Sequence, residues 1–310
     1  MSTAYESCTL CPRMCGTNRT KALGFCRAGS AVKVARAALH PWEEPCISGK
    51  NGSGTVFFSG CTLKCIFCQN YPLSHENFGR EITVKRLSEI FLELQSQGAH
   101  NINLVTATQY LPSVKEALDM IKGQLAIPVV FNCGGYERLE TLREYSGYID
   151  IYLPDLKYYD SNLAEKYSAA RDYFSKASAA ITEMIRLTGG LTWNPDVPSL
   201  LKKGVIIRHM VLPGAKEDSI RLLHWMKDSL PQNQYLLSLM SQYTPVICKR
   251  AKRGDKRAAQ ALALYPALAR TVDASEYDEV LDYADELGFD EYYWQEGNAA
   301  SESFIPLFPS

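Results

Sequence analysis

The sequence predicts an α/β fold in which six β/α units form a partial, TIM-like barrel behind a small cysteine-rich N-terminal unit. Three observations predict it. From Thr55 onward, short runs rich in β-branched and aromatic residues alternate with stretches that carry apolar residues at helical spacing, as in parallel strands joined by crossover helices. A loop with three cysteines, Cys61, Cys65 and Cys68, follows the first of these runs. Four more cysteines, Cys8, Cys11, Cys15 and Cys26, are grouped in the first fifty residues.

At 310 residues and 46% hydrophobic content, the chain fits one large α/β domain with a terminal appendage. We divide it into a metal-binding unit (1–50), the barrel (51–245) and a C-terminal helical extension with a final strand (246–310). The start, Met1-Ser2-Thr3-Ala4-Tyr5-Glu6, lacks the basic run and apolar core of a secretion signal, and no apolar stretch is long enough to span a bilayer. A cytoplasmic protein with no membrane partner is expected. In that setting the ten cysteines read as reduced thiols and metal ligands rather than disulfides. The 33 Lys and Arg balance 34 Asp and Glu to a net charge of −1, so no nucleic-acid partner is expected.

In chain order, Cys8-x2-Cys11-Pro12-Arg13-Met14-Cys15 and Gly24-Phe25-Cys26 place four thiols beside turn-forming residues. They suggest a second metal site. Zinc and an iron–sulfur cluster both accept four thiolates, and spacing alone does not choose between them. Residues 32–37 alternate as a short strand, and His40, Glu43 and Glu44 follow in a Pro-flanked loop at the mouth of a site or in solvent. Cys46 stays open between an extra ligand and a free thiol. The run Gly49-Lys50-Asn51-Gly52-Ser53-Gly54 fails the phosphate-loop pattern at Glu44 and Asn51 and reads as a linker.

The barrel strands are expected at 55–59, 101–106, 128–132, 149–154, 205–212 and 235–241. Helical faces lie between them, through Leu87, Ile90, Phe91 and Leu94, and through Val114, Leu118 and Ile121. Residues 171–203 form a helix-containing excursion. The basic run from Lys249 to Arg257 has no interleaved aromatic residues and reads as a solvated helix or loop. Residues 275–288 suit an amphipathic helix, and Tyr292-Tyr293-Trp294 a last strand.

The chemistry centres on Cys61-x3-Cys65-x2-Cys68. Three thiolates on a glycine-led loop can ligate three corners of a four-iron, four-sulfur (4Fe-4S) cluster and leave the fourth iron without a protein ligand. A closed zinc site would need a fourth ligand. With aromatic Phe67 just before the third cysteine, the loop resembles that of the radical S-adenosylmethionine (SAM) superfamily. The resemblance implies a partial barrel of the radical SAM type. It also implies that SAM is chelated by the open iron and cleaved by one electron to a 5′-deoxyadenosyl radical.

In a barrel, ligands sit at the carboxyl ends of strands. A period of two puts Asp155 and Lys157 on one side of such an end. They either orient SAM or simply pair with each other. The Asp155-Leu156-Lys157 element and Arg208 with Val211-Leu212-Pro213-Gly214 resemble pyruvate formate-lyase activating enzymes. Arg208 and His209 face opposite ways, and Arg208, whose guanidinium suits a carboxylate, is assigned to the lumen. The Gly-Gly-Glu common in the superfamily is missing after the second strand, where Thr106, Thr108 or Gln109 would supply the polar contact. Asn132 stands where the activating enzymes carry Asp, and the following Gly134 and Gly135 suit close approach to a ligand. The resemblance thus implies a cofactor-binding set of Phe67, Thr106, Thr108, Asn132, Asp155, Lys157 and Arg208. Cys133 and Cys248 read as small buried hydrophobes.

The likeness covers residues 50–245, and with the N-terminal cysteines it points to an uncharacterised branch related to pyruvate formate-lyase activating enzymes. It implies an oxidoreductase acting by hydrogen abstraction on a glycyl-radical enzyme, a peptide or a small molecule, fed by a reductant such as flavodoxin or ferredoxin. The competing expectation is a non-catalytic iron–sulfur protein that passes electrons between two clusters.

Overall fold

The computed structural model describes residues 3–295. Its strands are β1 (Val32–His40), β2 (Ser53–Phe58), β3 (Arg80–Ile82), β4 (Ile102–Val105), β5 (Val129–Cys133), β6 (Ile151–Pro154), β7 (Thr192–Trp193), β8 (Leu201–Met210), β9 (Leu236–Met240) and β10 (Tyr292–Tyr293). They pair in the order β10-β9-β8-β6-β5-β4-β2-β1-β3, with β7 on β8. All six strands expected from the sequence form, and neighbours among them pair in parallel. This is an α/β sheet of the partial-barrel kind.

Three features differ from the expectation. β1 does more than mark a separate N-terminal unit: it pairs antiparallel with β2 from Val34↔Phe58 to His40↔Ser53, with a register shift between Val34 and Arg36. β8 begins at Leu201, ahead of the expected 205, because β7 in the preceding excursion pairs with its first residues. Arg250, in the basic run, turns inward. Its guanidinium donates to the Ile66 carbonyl (2.8 Å), pairs with Asp255 (2.6 Å) and lies 3.2 Å over the Tyr71 ring. The run forms two helices, Val246–Lys252 and Lys256–Leu264, the second capped by Asp255. The final strand pairs in parallel with β9 through Tyr292 and Tyr293, and residues 296–310 of the expected extension lie outside the described residues.

The period of two sorts the strand residues between two environments. Val56, Leu104, Phe131, Tyr152, Val205 and Leu237 pack in the main core beneath the helices. That core takes Leu87, Ile90, Phe91 and Leu94 from helix Val84–Ser96, whose first turn is capped by Thr83. On the opposite face Val130, Ile151, Leu153 and Ile206 pack around Cys46 and Ile47 of the short helix Pro45–Ser48. Burying Ile47 there contributes about 1.5–3 kcal/mol. The segment after β1 therefore plugs one end of that face, and Cys46 is a core residue. At the other end, past the apolar layer, the same face turns polar. No helix among the described residues is long and apolar enough to cross a membrane.

Candidate functional site

Beyond the plug, the carboxyl ends of β2, β4, β5, β6, β8 and β9 surround a cavity of about 240 Å³. Cys61, Cys65 and Cys68 all line it, from the loop that leaves β2. The loop is shaped by its neighbours. Gly60 has φ +87°, and a Cβ there would stand 2.6 Å from the Cys26 carbonyl, so glycine is required. The Gln109 amide lies within hydrogen-bonding distance of the carbonyls of Ser59 (3.0 Å), Gly60 (3.0 Å) and Thr106 (2.7 Å), tying the start of the loop to the end of β4. The backbone of Tyr167 and Ser168 accepts from Ile66 and Lys64 on the other side.

Each sulfur has a polar neighbour. The Leu63 N–H donates to Cys61 Sγ (3.4 Å), the Ser74 hydroxyl donates to Cys68 Sγ (3.3 Å), and Ser168 Oγ lies 2.9 Å from Cys65 Sγ. Burial, reinforced by Cys65 and Cys68, pushes the Cys61 thiol up to about 12, and burial with Cys65 raises Cys68 to about 11. Metal coordination removes such protons outright, so three thiols crowded in one cavity wall suit a metal cluster better than an apolar core. These residues fit the three-thiolate group that the spacing implies.

Across the cavity stands a charged constellation. Arg208 Nε donates to Asp155 Oδ1 (2.9 Å), Nη2 donates to Asn132 Oδ1 (2.7 Å) and Nη1 pairs with Glu43 (3.3 Å). Lys157 Nζ donates to Asp155 Oδ2 at 2.6 Å. Burial opposes ionisation of Asp155, yet Arg208 and Lys157 outweigh it and hold the carboxyl below its usual range. Likewise burial disfavours the Lys157 ammonium, but Asp155 more than compensates and raises it. The mutual pairing left open from the sequence therefore forms, and it forms on the cavity wall. Tyr173, in the excursion, braces it: its hydroxyl accepts from the Lys157 N–H (2.9 Å) and stands 2.6 Å from the Asp155 carbonyl.

Phe67, Thr106, Asn132, Asp155, Lys157 and Arg208 all line the cavity, as do His40 and Glu43. Thr106 adopts φ +60°, a conformation rare for a β-branched residue and one that marks strain beside the cavity. Thr108 is a correction. It is buried away from the cavity, and its hydroxyl donates to Glu137 (2.9 Å). The pair Gly134-Gly135 is also reassigned in part: a Cβ on Gly135, φ +76°, would stand 2.3 Å from the Asp155 carbonyl, so that glycine is needed by the protein's own backbone rather than by a ligand. His209 packs between sheet and helix, with Leu156 O (2.7 Å) and Ser219 Oγ (2.8 Å) on its two nitrogens, and burial lowers it to about 4.

Sequence reasoning missed Ser74, Ser168, Trp42, Met210, Met240 and Gln242. Ser74 and Ser168 touch sulfurs and the other four line the cavity. Met210 and Met240 end β8 and β9, a signal that strand position carried; the others had none. Cys8, Cys11, Cys15 and Cys26 do not line the cavity. Among the described residues no three His, Cys, Asp or Glu side chains converge on the point a single metal ion would take, at the cavity loop or elsewhere.

Residues 55–226 match the model of the Radical SAM superfamily. An uncharacterized protein of Methanocaldococcus jannaschii is 26% identical over 299 residues, covering 93% of this chain and 77% of the relative. Among solved structures, Streptococcus suis SuiB bound to the precursor peptide SuiA superposes with a TM-score of 0.51 at 15% identity, over 76% of this chain. This chain spans 46% of SuiB's length. A mutant of spore photoproduct lyase superposes with a TM-score of 0.50 at 13% identity, over 80% of this chain and 78% of the lyase. At such identities the two structures share the fold.

Proposed function

The chain belongs to the radical SAM superfamily, and we propose that it is an enzyme that cleaves SAM reductively and abstracts hydrogen from a polypeptide segment. Cys61, Cys65 and Cys68 would hold three corners of a 4Fe-4S cluster. Bound there with SAM, the cluster supplies one-electron cleavage of a carbon–sulfur bond and hence a primary carbon radical.

The chain's own residues bind and orient. Arg208 and Lys157 offer cationic donors to a carboxylate, Asp155 and Asn132 offer acceptors to an amine, and Glu43 and Asp155 keep the wall near neutrality. Phe67, T-shaped against Tyr167 and Tyr243, closes the apolar side of the loop and excludes water from it. The observation that carries the reading is the cavity itself. A protein that only relays electrons has no use for a space of about 240 Å³ between its thiolates and a ring of fixed charges.

The polypeptide substrate is supported by the rim, where Trp42 lies 62% exposed beside the half-buried His40. SuiB, similar in fold, has been solved with a precursor peptide. Activation of a glycyl-radical enzyme is one member of this substrate class. A one-electron carrier of the flavodoxin or ferredoxin kind would supply the reductant.

The test is anaerobic reconstitution with iron, sulfide, SAM and a strong reductant, with and without cell extract as a source of substrate. Formation of 5′-deoxyadenosine by the wild type and its loss in Cys65→Ala are expected. A fully loaded wild type that forms none under either condition would refute the enzyme.

A further inference from the structure

The four cysteines ahead of the sheet serve no purpose in the cavity, yet the chain is folded around them. Cys8 and Cys26 are buried, Cys11 is half-buried and Cys15 exposed. The backbone N–H groups of Arg13, Thr17 and Ala28 face the sulfurs of Cys11, Cys15 and Cys26, each two residues further along. The Leu63 N–H stands in the same relation to Cys61 in the cavity loop. Left-handed turns at Met14 (φ +40°) and Arg27 (φ +65°), both non-glycine, curl the chain beside Cys15 and Cys26. A Cβ on Gly24 would stand 3.4 Å from Cys26 Sγ and 3.7 Å from Cys15 Sγ, so these two sulfurs gather around one glycine.

A second observation is the charge. Arg19 is 2% exposed, and its guanidinium is held by the carbonyls of Ala28 (3.2 Å), Gln109 and Gly29, with Nη1 3.8 Å from Cys8 Sγ. It lies over the rings of Tyr5 (4.8 Å) and Tyr110 (5.6 Å). Among the described residues no carboxylate pairs with it. A buried cation without a counter-charge is strongly unfavourable, and the sulfur beside it is the place for one. The surroundings repeat the bias: residues 3–36 contain Arg13, Arg19, Lys21, Arg27, Lys33 and Arg36 against Glu6 alone, in a chain whose net charge is −1.

We propose that Cys8, Cys11, Cys15 and Cys26 bind a second iron–sulfur cluster, whose negative charge Arg19 balances. Four thiolates on a metal centre supply the missing counter-charge at Cys8. Zinc also accepts four thiolates but undergoes no redox change, whereas an iron–sulfur cluster carries single electrons, which the function proposed for the adjoining cavity consumes. The site adjoins the cavity loop, because the Cys26 carbonyl accepts from the Cys61 N–H (3.1 Å) and Arg13 Nε donates to the Thr62 carbonyl (3.0 Å).

The proposal goes beyond the function assigned to the cavity, and its test is independent of it. The full chain carrying Cys61→Ala, Cys65→Ala and Cys68→Ala is purified anaerobically, reconstituted with iron and sulfide, and analysed for iron, sulfide and zinc, with Mössbauer spectra. Roughly half the iron and sulfide of the wild type is expected, in cluster form. Zinc in their place, or no metal, overturns the proposal. A second variant, Cys11→Ser with Cys15→Ser, keeps the cavity thiolates and tests the same point if the first does not fold. Its iron is expected to fall by half with the response of the remaining cluster to SAM intact, and unchanged iron overturns the proposal.

Discussion

Glu43 and Arg208 meet at 3.3 Å across the cavity wall, one carried by the plug segment after β1 and the other by β8. The contact joins a residue outside the stretch that matches the superfamily to one inside it. Asn132 ties the two further, donating to Glu43 (3.4 Å) and accepting from Arg208 (2.7 Å). The plug is therefore part of the site and not only a stopper for the barrel.

Glu43→Gln removes the charge from this contact while keeping its shape. It is expected to lower the unfolding free energy by about 1.5–3 kcal/mol, the range for a hydrogen bond to a charged group. Urea denaturation reads it, and an unchanged midpoint would mean that solvent already screens the pair.

Thr106 at φ +60° holds a β-branched residue in a region that costs about 1–3 kcal/mol. Thr106→Gly should relieve more than glycine's added entropy of about 0.5–1 kcal/mol. A stability gain of about 1 kcal/mol is expected, again by urea denaturation, and a net loss would show that the side chain is held there by favourable contacts.

Gln109 fastens the cysteine loop to β4 through three carbonyls. Gln109→Leu leaves those groups without their donor and is expected to cost about 1–3 kcal/mol. The loosened loop should also lose iron faster to a chelator. Retention equal to that of the wild type would assign the shape of the loop to Gly60 and the Ser168 backbone instead.

Glu137 is buried behind the cavity beside Cys133, with Oε2 lacking a hydrogen-bond partner, and burial pushes its carboxyl from 4.5 up to about 8. Its raised value means that the folded state binds the proton more tightly than the unfolded chain. Its contribution is therefore fully present below 4.5 and is lost as pH rises to about 8. Glu137→Gln mimics the protonated form, so the variant should gain stability relative to the wild type between pH 5 and pH 8. A difference between the two proteins that stays constant over that window would show that Glu137 does not titrate there.

Much of this was legible in the sequence because the signals were local. The period of two located all six parallel strands, and Cys61, Cys65 and Cys68 declared their chemistry by spacing within one loop. Asp155 and Lys157 were singled out by their places at a strand end, and Arg208 by its likeness to the activating enzymes and its facing opposite to His209; all three line the cavity. What escaped was settled by contacts distant in sequence. Thr108 turned to Glu137, Gly135 met the Asp155 backbone, and Arg250 reached the Ile66 carbonyl from the far end of the chain. Ser74 and Ser168, each against a cysteine sulfur of the cavity loop, looked like any other helix serine. No residue spacing announces such partners, because tertiary packing selects them.

The most direct test of the central claim uses the reduced cluster as its own reporter. The anaerobically reconstituted protein is reduced by one electron, and its paramagnetic spectrum is recorded before and after SAM is added. The spectrum of the wild type should change on addition of SAM, while Cys65→Ala should show no such response. A fully loaded wild type whose spectrum is unmoved by SAM would contradict the account.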